Sequence, residues 1–189
     1  MRIVAGRFKG KALVAPQGQG TRPTSDRARQ AIFNILEHAA WAPDLAGARV
    51  IDLFAGSGAL GLEALSRGAD FCLFVETDAE ARGAIRDNVE AFGLFGATRI
   101  HRRDATNLGQ KPAADGAPFD LAFLDPPYGK GLGTRALADL AAGGWLADGA
   151  LAVLEVGAAE TAPAVEGFEL IDERVYGAAK VLFLRRSAA

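Results

Sequence analysis

A glycine-rich turn between an apolar strand and a helix is the feature that most constrains how this chain folds. Residues 50–54 form an apolar run with β-branched side chains, and Gly56, Gly58 and Gly61 follow before a helix-like stretch. Glycines at such a turn let backbone N–H groups approach a ligand closely, and the N-terminus of the next helix favours anions. The segment therefore predicts a strand–turn–helix unit that binds a nucleotide-type ligand, or else a tight packing turn.

Segments typical of strands and helices alternate from residue 49 onward. The pattern predicts strands near 49–54, 71–76, 98–103, 119–125 and 150–156, and helices near 58–67, 78–92 and 132–142. This alternation indicates an α/β fold with a parallel sheet covered on both faces. Two more strand-like runs, 168–176 and 180–186, have no room for a crossover helix between them, so they must pair antiparallel.

A parallel sheet that ends in an antiparallel hairpin is typical of class I S-adenosylmethionine-dependent methyltransferases, which have a Rossmann-like fold. An NAD-binding Rossmann domain would continue with further βαβ units. We therefore expect residues 46–189 to form a methyltransferase domain and residues 1–45 to form a small N-terminal arm.

The predicted arm is basic and consists of a β-hairpin and a helix. Gly6 and Gly10 bracket the hairpin turn, and Thr24 or Ser25 caps a helix that runs through Ala40. Clustered positive charge neutralises phosphates, although a solvated surface would give the same pattern. We expect the arm to bind nucleic-acid phosphates through Arg2, Arg7, Lys9, Lys11, Arg22, Thr24 and Arg27.

Acidic residues lie at the predicted ends of neighbouring strands, where an open α/β sheet binds its ligands. Glu76 stands where an acid binds ribose hydroxyls, which fits NAD and S-adenosylmethionine equally well. Asp104 could bind an adenine amine or cap a helix, and Asp52 could anchor the turn or approach the amino group of the cofactor. The predicted cofactor site comprises Asp52, Phe54, Ala55, Gly56, Gly58, Glu76, Thr77, Asp104 and Ala105.

The motif Asp125-Pro126-Pro127-Tyr128 follows the strand-like run 119–124. The prolines lack N–H groups and have fixed φ, so the chain leaves the sheet as a stiff extended loop. Asp125 and backbone carbonyls supply acceptors, and Tyr128 supplies a face for stacking. Such a loop suits a planar base with an exocyclic amine, and we expect all four residues to be catalytic; a tight connection with a capping Asp is the alternative.

The amino-acid composition excludes several kinds of structural site and of protein location. The net charge is −2, and the single cysteine and two histidines exclude a disulfide framework and a Cys/His zinc cluster, so we expect no metal. Neither a signal peptide nor an apolar run long enough to span a bilayer is present, so we expect a cytoplasmic protein. Nothing in the sequence requires more than a monomer.

With these residues assembled, the chain resembles the bacterial 16S ribosomal RNA guanine-N2 methyltransferases, and more narrowly the family that modifies guanine 966 of that RNA. The Asp-Pro-Pro-Tyr motif is shared with adenine-N6 and other amine methylators. The Arg-Pro-Thr arm and the Ser-Arg-Gly-Ala segment are specific to the family. The matching segments are 2–6, 10–13, 22–27, 33–36, 52–61, 63–69, 125–128 and 144–146.

The resemblance implies methyl transfer from S-adenosylmethionine to the N2 amine of guanine 966, within the assembled or assembling 30S subunit. It implies 16S ribosomal RNA and small-subunit ribosomal proteins as partners. Gly56, Gly58, Glu76 and Asp104 would hold the cofactor, and residues 125–128 would hold the guanine amine. The alternatives are an adenine-N6 DNA or RNA methyltransferase, an NAD-dependent dehydrogenase and a non-catalytic ribosome-assembly factor.

Overall fold

The computed structural model describes residues 1–17 and 24–188. The predicted RNA contact Arg22 lies outside these residues. Four α-helices and seven strands follow one another in the described chain. Their bounds are α1 Asp26–His38, β1 Arg49–Leu53, α2 Ala59–Ser66, β2 Phe71–Val75, α3 Ala79–Ala91, β3 Thr98–His101, β4 Phe119–Leu124, α4 Leu132–Ala142, β5 Leu146–Gly157, β6 Phe168–Tyr176 and β7 Ala179–Arg186.

The strands form one sheet in the order β3-β2-β1-β4-β5-β7-β6. Strands β1 to β5 are parallel, and β7 pairs antiparallel with both β5 and β6. The predicted α/β fold with an antiparallel C-terminal hairpin is therefore confirmed. The largest differences from the predicted strand bounds are that β5 begins earlier, at Leu146, and that β3 ends earlier, at His101; the other strand bounds agree to within one residue.

Each face of the sheet carries its own group of buried apolar side chains, because alternate residues of a strand point to opposite faces. Val50 and Phe74 belong to the group shared with α1, α2 and α3, and Ile51 and Leu73 belong to the group shared with α4. The first group also contains arm residues, namely Ile3, Phe8, Leu13, Ile32, Phe33 and Leu36. The arm and the sheet therefore share one core.

The arm begins with an antiparallel bridge between Arg2 and Ala12, which is shorter than the predicted hairpin. Helix α1 then starts as predicted, because the Ser25 hydroxyl accepts the Ala28 N–H at 3.1 Å and so caps the first turn. The helix ends at His38, two residues before the predicted end.

Helix α2 holds the start of the arm through two polar side chains. The Glu63 carboxylate accepts the N–H groups of Val4 and Ala5 at 2.9 and 3.1 Å. The Ser66 hydroxyl accepts the Phe8 N–H at 2.9 Å, and the Ser66 carbonyl accepts the Arg7 N–H at 2.8 Å. Backbone N–H groups of the arm thereby donate hydrogen bonds to side-chain oxygens of α2 and to the carbonyl of its last residue.

No helix in the described part of the chain is long and apolar enough to cross a membrane.

Candidate functional site

The predicted site residues follow strands whose carboxyl ends meet at one edge of the sheet. Leu53, the last residue of β1, is aligned with Val75 of β2 and with Leu124 of β4. The turn after β1 therefore begins between Glu76 and Asp125. Val75 is in turn aligned with His101, which places the segment after β3 next in line.

The turn between β1 and α2 has an unusual backbone. Phe54 has a φ of 56°. Among the described residues, it is the single residue other than glycine with a positive φ. Gly56 and Gly58 also have positive φ, at 59° and 79°, and Gly58 is the N-cap of α2. Positive φ strains a residue with a side chain such as Phe54, and strain of this kind concentrates at functional sites, whereas glycine adopts positive φ freely; together these residues turn the chain sharply into α2.

Glu76 supports this turn directly. One carboxylate oxygen accepts the Gly56 N–H at 2.8 Å, and the other accepts the Asp78 N–H at 3.0 Å. The residue is half-buried at the end of β2. Because each carboxylate oxygen has two lone pairs, the group can accept further hydrogen bonds from a ligand.

Asp52 lies beneath the turn rather than on its open side. Its side chain is buried, and Oδ2 accepts the Gly61 N–H at 3.0 Å. Burial raises the pKa of this carboxyl to about 8, with a further increase from the negative charge of Glu76, against the opposing effect of the Gly61 hydrogen bond. The observed contact anchors the start of α2, and a role at the cofactor's amino group stays a prediction.

Asp104 stands in an exposed turn after β3. Its Oδ1 accepts the Thr106 N–H at 2.8 Å and the Thr106 hydroxyl at 2.7 Å. These two hydrogen bonds lower the pKa of Asp104, and the positive charge of Arg135 contributes in the same direction. The carboxylate is thus ionised and reachable from solvent, as a ligand-binding acid needs to be.

Asp125 begins the loop after β4. Its N–H lies 3.5 Å from the Leu53 carbonyl, so the motif starts beside the turn after β1. Its Oδ2 accepts a hydrogen bond from the Thr24 hydroxyl at 3.0 Å, which brings the arm into the site. Pro126 is buried, whereas Tyr128 is half-buried.

A cavity of about 200 Å³ lies beside this loop, between β5 and the start of α4. Its lining includes Pro126 and Tyr128 of the loop and the acids Glu155 and Glu160. Glu160 accepts the Gly129 N–H at 3.2 Å, so it holds the end of the loop against β5. The sequence reasoning missed both acids, although an acid inside the apolar run of β5 was a usable signal for Glu155.

A third missed residue is Asn88 in α3, which is buried. Its side chain accepts the Val14 N–H at 2.8 Å and donates to the carbonyls of Val14 and Ser57 at 3.0 and 3.1 Å. It therefore connects the arm to the glycine-rich turn. No periodic pattern marks such a residue, because its partners are distant in sequence.

The basic turn of the arm lies away from the carboxyl edge of the sheet. Arg7 binds the last residue of α2 through its backbone, and α2 has eight residues, so the two ends are about 12 Å apart. The Arg7 guanidinium lies 4.7 Å from the centre of the Phe8 ring, and Lys11 lies 5.2 Å from it. Arg2 donates to the Gly10 carbonyl at 2.7 Å. The predicted contacts Arg2, Arg7, Lys9, Lys11 and Arg27 are all exposed, whereas Thr24 is buried.

Within residues 1–17 and 24–188, no three His, Cys, Asp or Glu side chains are grouped so that they could hold a metal ion. Cys72 is buried in β2, and burial raises the pKa of its thiol well above the usual range.

The strand order, the antiparallel hairpin and the polar residues at the carboxyl edge define a class I methyltransferase. The solved structure of yhhF from Escherichia coli has the same fold, with a TM-score of 0.85 at 35% sequence identity over 100% of this chain and 99% of that chain.

The sequence model of the family described as conserved hypothetical protein 95 matches residues 1–185. The chain is 35% identical over 189 residues to ribosomal RNA small subunit methyltransferase D of Escherichia coli strain K12, which covers 100% of this chain and 91% of the relative. The protein of the same name from Haemophilus influenzae is 30% identical over 178 residues, which is 94% of this chain and 89% of the relative. The chain therefore belongs to the family of ribosomal RNA small subunit methyltransferase D, as the sequence motifs predict.

Proposed function

We propose that this chain transfers a methyl group from S-adenosylmethionine to the N2 amine of guanine 966 in 16S ribosomal RNA, within an assembled or assembling small subunit. Membership of the family over almost the whole chain supports this proposal. The structural observation that carries it is the position of Asp125, whose N–H lies 3.5 Å from the carbonyl of Leu53. The carboxylate that we propose to bind the amine thus stands next to the strained, glycine-rich turn.

The donor and acceptor set at this edge fits S-adenosylmethionine, which joins a nucleoside to a charged amino acid. Backbone N–H groups of the turn at Gly56 and Gly58 suit the amino-acid part. The Glu76 carboxylate suits the ribose hydroxyls, and the ionised Asp104 suits the adenine amine. When bound, the cofactor supplies the methyl group and a sulfur leaving group, and its product form is S-adenosylhomocysteine.

The remaining residues act on the guanine. Its N2 amine is a poor nucleophile, because the lone pair is delocalised into the ring. The Asp125 carboxylate and the Pro126 carbonyl accept one N–H each, which turns the nitrogen lone pair toward the transferred methyl group. Asp125 can take the released proton, since the amine becomes acidic as the new bond forms. Tyr128 stacks on a base that has left its helix or loop.

The exposed cations of the arm contribute affinity rather than chemistry. The backbone of Arg7, in the basic turn, lies about 12 Å from the start of α2, so the cations of that turn would contact phosphates distant from the target base. Arg27 lies nearer the site, three residues from Thr24, which contacts Asp125. The separated contact of the basic turn favours a large, structured substrate, and small-subunit ribosomal proteins are the proposed neighbours of that RNA. Binding through phosphates weakens as salt rises.

An Asp125→Ala substitution tests this proposal. We expect it to abolish methyl transfer to small subunits while the dissociation constant for S-adenosylmethionine, measured by calorimetry, changes little. The matched control is Asp120→Asn at the other end of β4, where Asp120 accepts the Arg49 N–H at 2.9 Å. The control should keep turnover close to that of the unaltered protein. Full turnover in Asp125→Ala would contradict the proposed role.

A further inference from the structure

The hydrogen bond between Thr24 and Asp125 joins residues that are 101 positions apart in the sequence. The Thr24 hydroxyl donates to Asp125 Oδ2 at 3.0 Å, and only 8% of Thr24 is exposed. The hydroxyl therefore points into the protein, at the carboxylate that begins the Asp-Pro-Pro-Tyr loop. A hydrogen bond to a charged group is stronger than one between neutral groups.

Thr24 is itself held firmly. Its carbonyl lies 3.5 Å from the Arg29 guanidinium, and Arg29 is fully buried in α1. Arg29 also pairs with the buried Glu63 of α2, with 3.1 Å between Nε and Oε1. The residue that follows Thr24 caps α1 through its own hydroxyl. Thr24 is thereby connected through Arg29 to the helix that starts at the glycine-rich turn.

We propose that Thr24 is a positioning residue for methyl transfer, which holds the Asp125 carboxylate in the orientation that the guanine amine requires. The inference rests on the proposed function. A carboxylate has about four lone-pair sites, so one hydrogen bond from Thr24 fixes its rotation without exhausting its capacity to accept others. A carboxylate that rotates would meet the amine correctly in only a fraction of encounters, and misplacement of this size lowers the rate of the chemical step.

This role differs from the phosphate contact that the basic arm predicts for Thr24. A phosphate contact needs an exposed hydroxyl, and its loss raises KM for the RNA substrate. A positioning role needs the hydroxyl buried against Asp125, and its loss lowers kcat while KM and cofactor affinity stay unchanged. The two roles are therefore separable by kinetics.

The test compares Thr24→Val, which removes the hydroxyl at constant shape, with Thr24→Ser, which keeps it. We expect Thr24→Val to lower kcat for small subunits by about ten- to a hundredfold, the range for a lost hydrogen bond to a charged group. Thr24→Ser should stay within about threefold of the unaltered protein. KM for subunits and the dissociation constant for S-adenosylmethionine should not change in either variant.

The control is Thr98→Val. It removes a hydroxyl that lies away from the site and that donates to the Leu94 carbonyl at 2.8 Å. It should lose similar stability and keep its turnover. Turnover is measured well below the melting temperature of every variant, and Thr24→Ala is a second variant without the hydroxyl, in case Val does not fit.

Unchanged kcat in Thr24→Val, a loss confined to KM, or an equal loss in Thr24→Ser would overturn the inference. If the unaltered protein itself does not methylate subunits, the proposed function fails instead, so the two failures are distinguishable.

Discussion

Glu63 is the centre of a buried ionic network, and Glu63→Gln is the substitution that best measures what attaches the arm to the sheet. Its carboxylate accepts backbone N–H groups of Val4 and Ala5 and the Nε–H groups of Arg29 and Arg67, at 2.9 to 3.1 Å. None of its side chain is exposed. Glutamine has one acceptor oxygen and one NH₂ group, so the NH₂ would face two donors. The substitution also removes the negative charge between two arginines.

Breaking a buried ion pair by changing one partner costs about 3–5 kcal/mol. Asp26 still pairs with Arg29, and Glu37 still pairs with Arg67, at 3.0 and 3.1 Å. We therefore expect the lower end of that range, a loss of about 3 kcal/mol in the free energy of unfolding. For a domain of this size the melting temperature would fall by roughly 6–12 °C.

Urea unfolding followed by circular dichroism measures this loss. The control is Glu37→Gln, because Glu37 pairs with the same arginine but its side chain is 36% exposed. An exposed pair contributes at most about 1 kcal/mol. If Glu63→Gln were no more destabilising than Glu37→Gln, the network would not be what holds the arm, and the reasoning would be refuted.

Three further results are expected. Between about pH 4 and about pH 8 the folded chain keeps a proton on Asp52 that the unfolded chain releases, so this carboxyl lowers the free energy of unfolding by about 1.4 kcal/mol for each unit that the pH rises. The urea midpoint of Asp52→Asn should therefore depend less steeply on pH, and an equal slope in both proteins would contradict this. In Gly61→Ala the new Cβ would lie 2.5 Å from the Cys72 sulfur, which should lower the free energy of unfolding in urea by about 1–3 kcal/mol. The control Gly83→Ala meets nothing within 4 Å and should not destabilise the protein, and similar losses in both variants would refute the packing argument. Lys9→Ala should reduce the slope of log affinity for RNA against log salt by about 0.7–0.9 without lowering kcat; an unchanged slope would remove Lys9 from the interface.

Much of the fold could be predicted because its signals are local. The apolar runs of β1, β2 and β4 and the short link between β6 and β7 are visible in the sequence and determine parallel and antiparallel pairing. The insertion of β7 between β5 and β6 was not visible, because strand order depends on contacts between segments far apart in the chain. The early start of β5 at Leu146 was hidden by Asp148 and Gly149, which interrupt the apolar pattern of the strand.

The site was predictable to the extent that strand ends converge. Glu76, Asp125 and the turn that contains Gly56 lie together at one edge of the sheet, as parallel strands require. The partners of these residues were not predictable. Nothing near Thr24 in the sequence indicates that its hydroxyl reaches a residue 101 positions away. The same holds for Glu63, whose place in a helix gives no information about the arm that it binds.

The central claim is tested most directly by the chemical identity of the methylated nucleoside. Small subunits that lack the modification, protein-free 16S ribosomal RNA and duplex DNA would each be incubated with radiolabelled S-adenosylmethionine and then digested to nucleosides. The account predicts label in N2-methylguanosine, strongest with the small subunit. Label in N6-methyladenosine, or no label in any substrate, would contradict it.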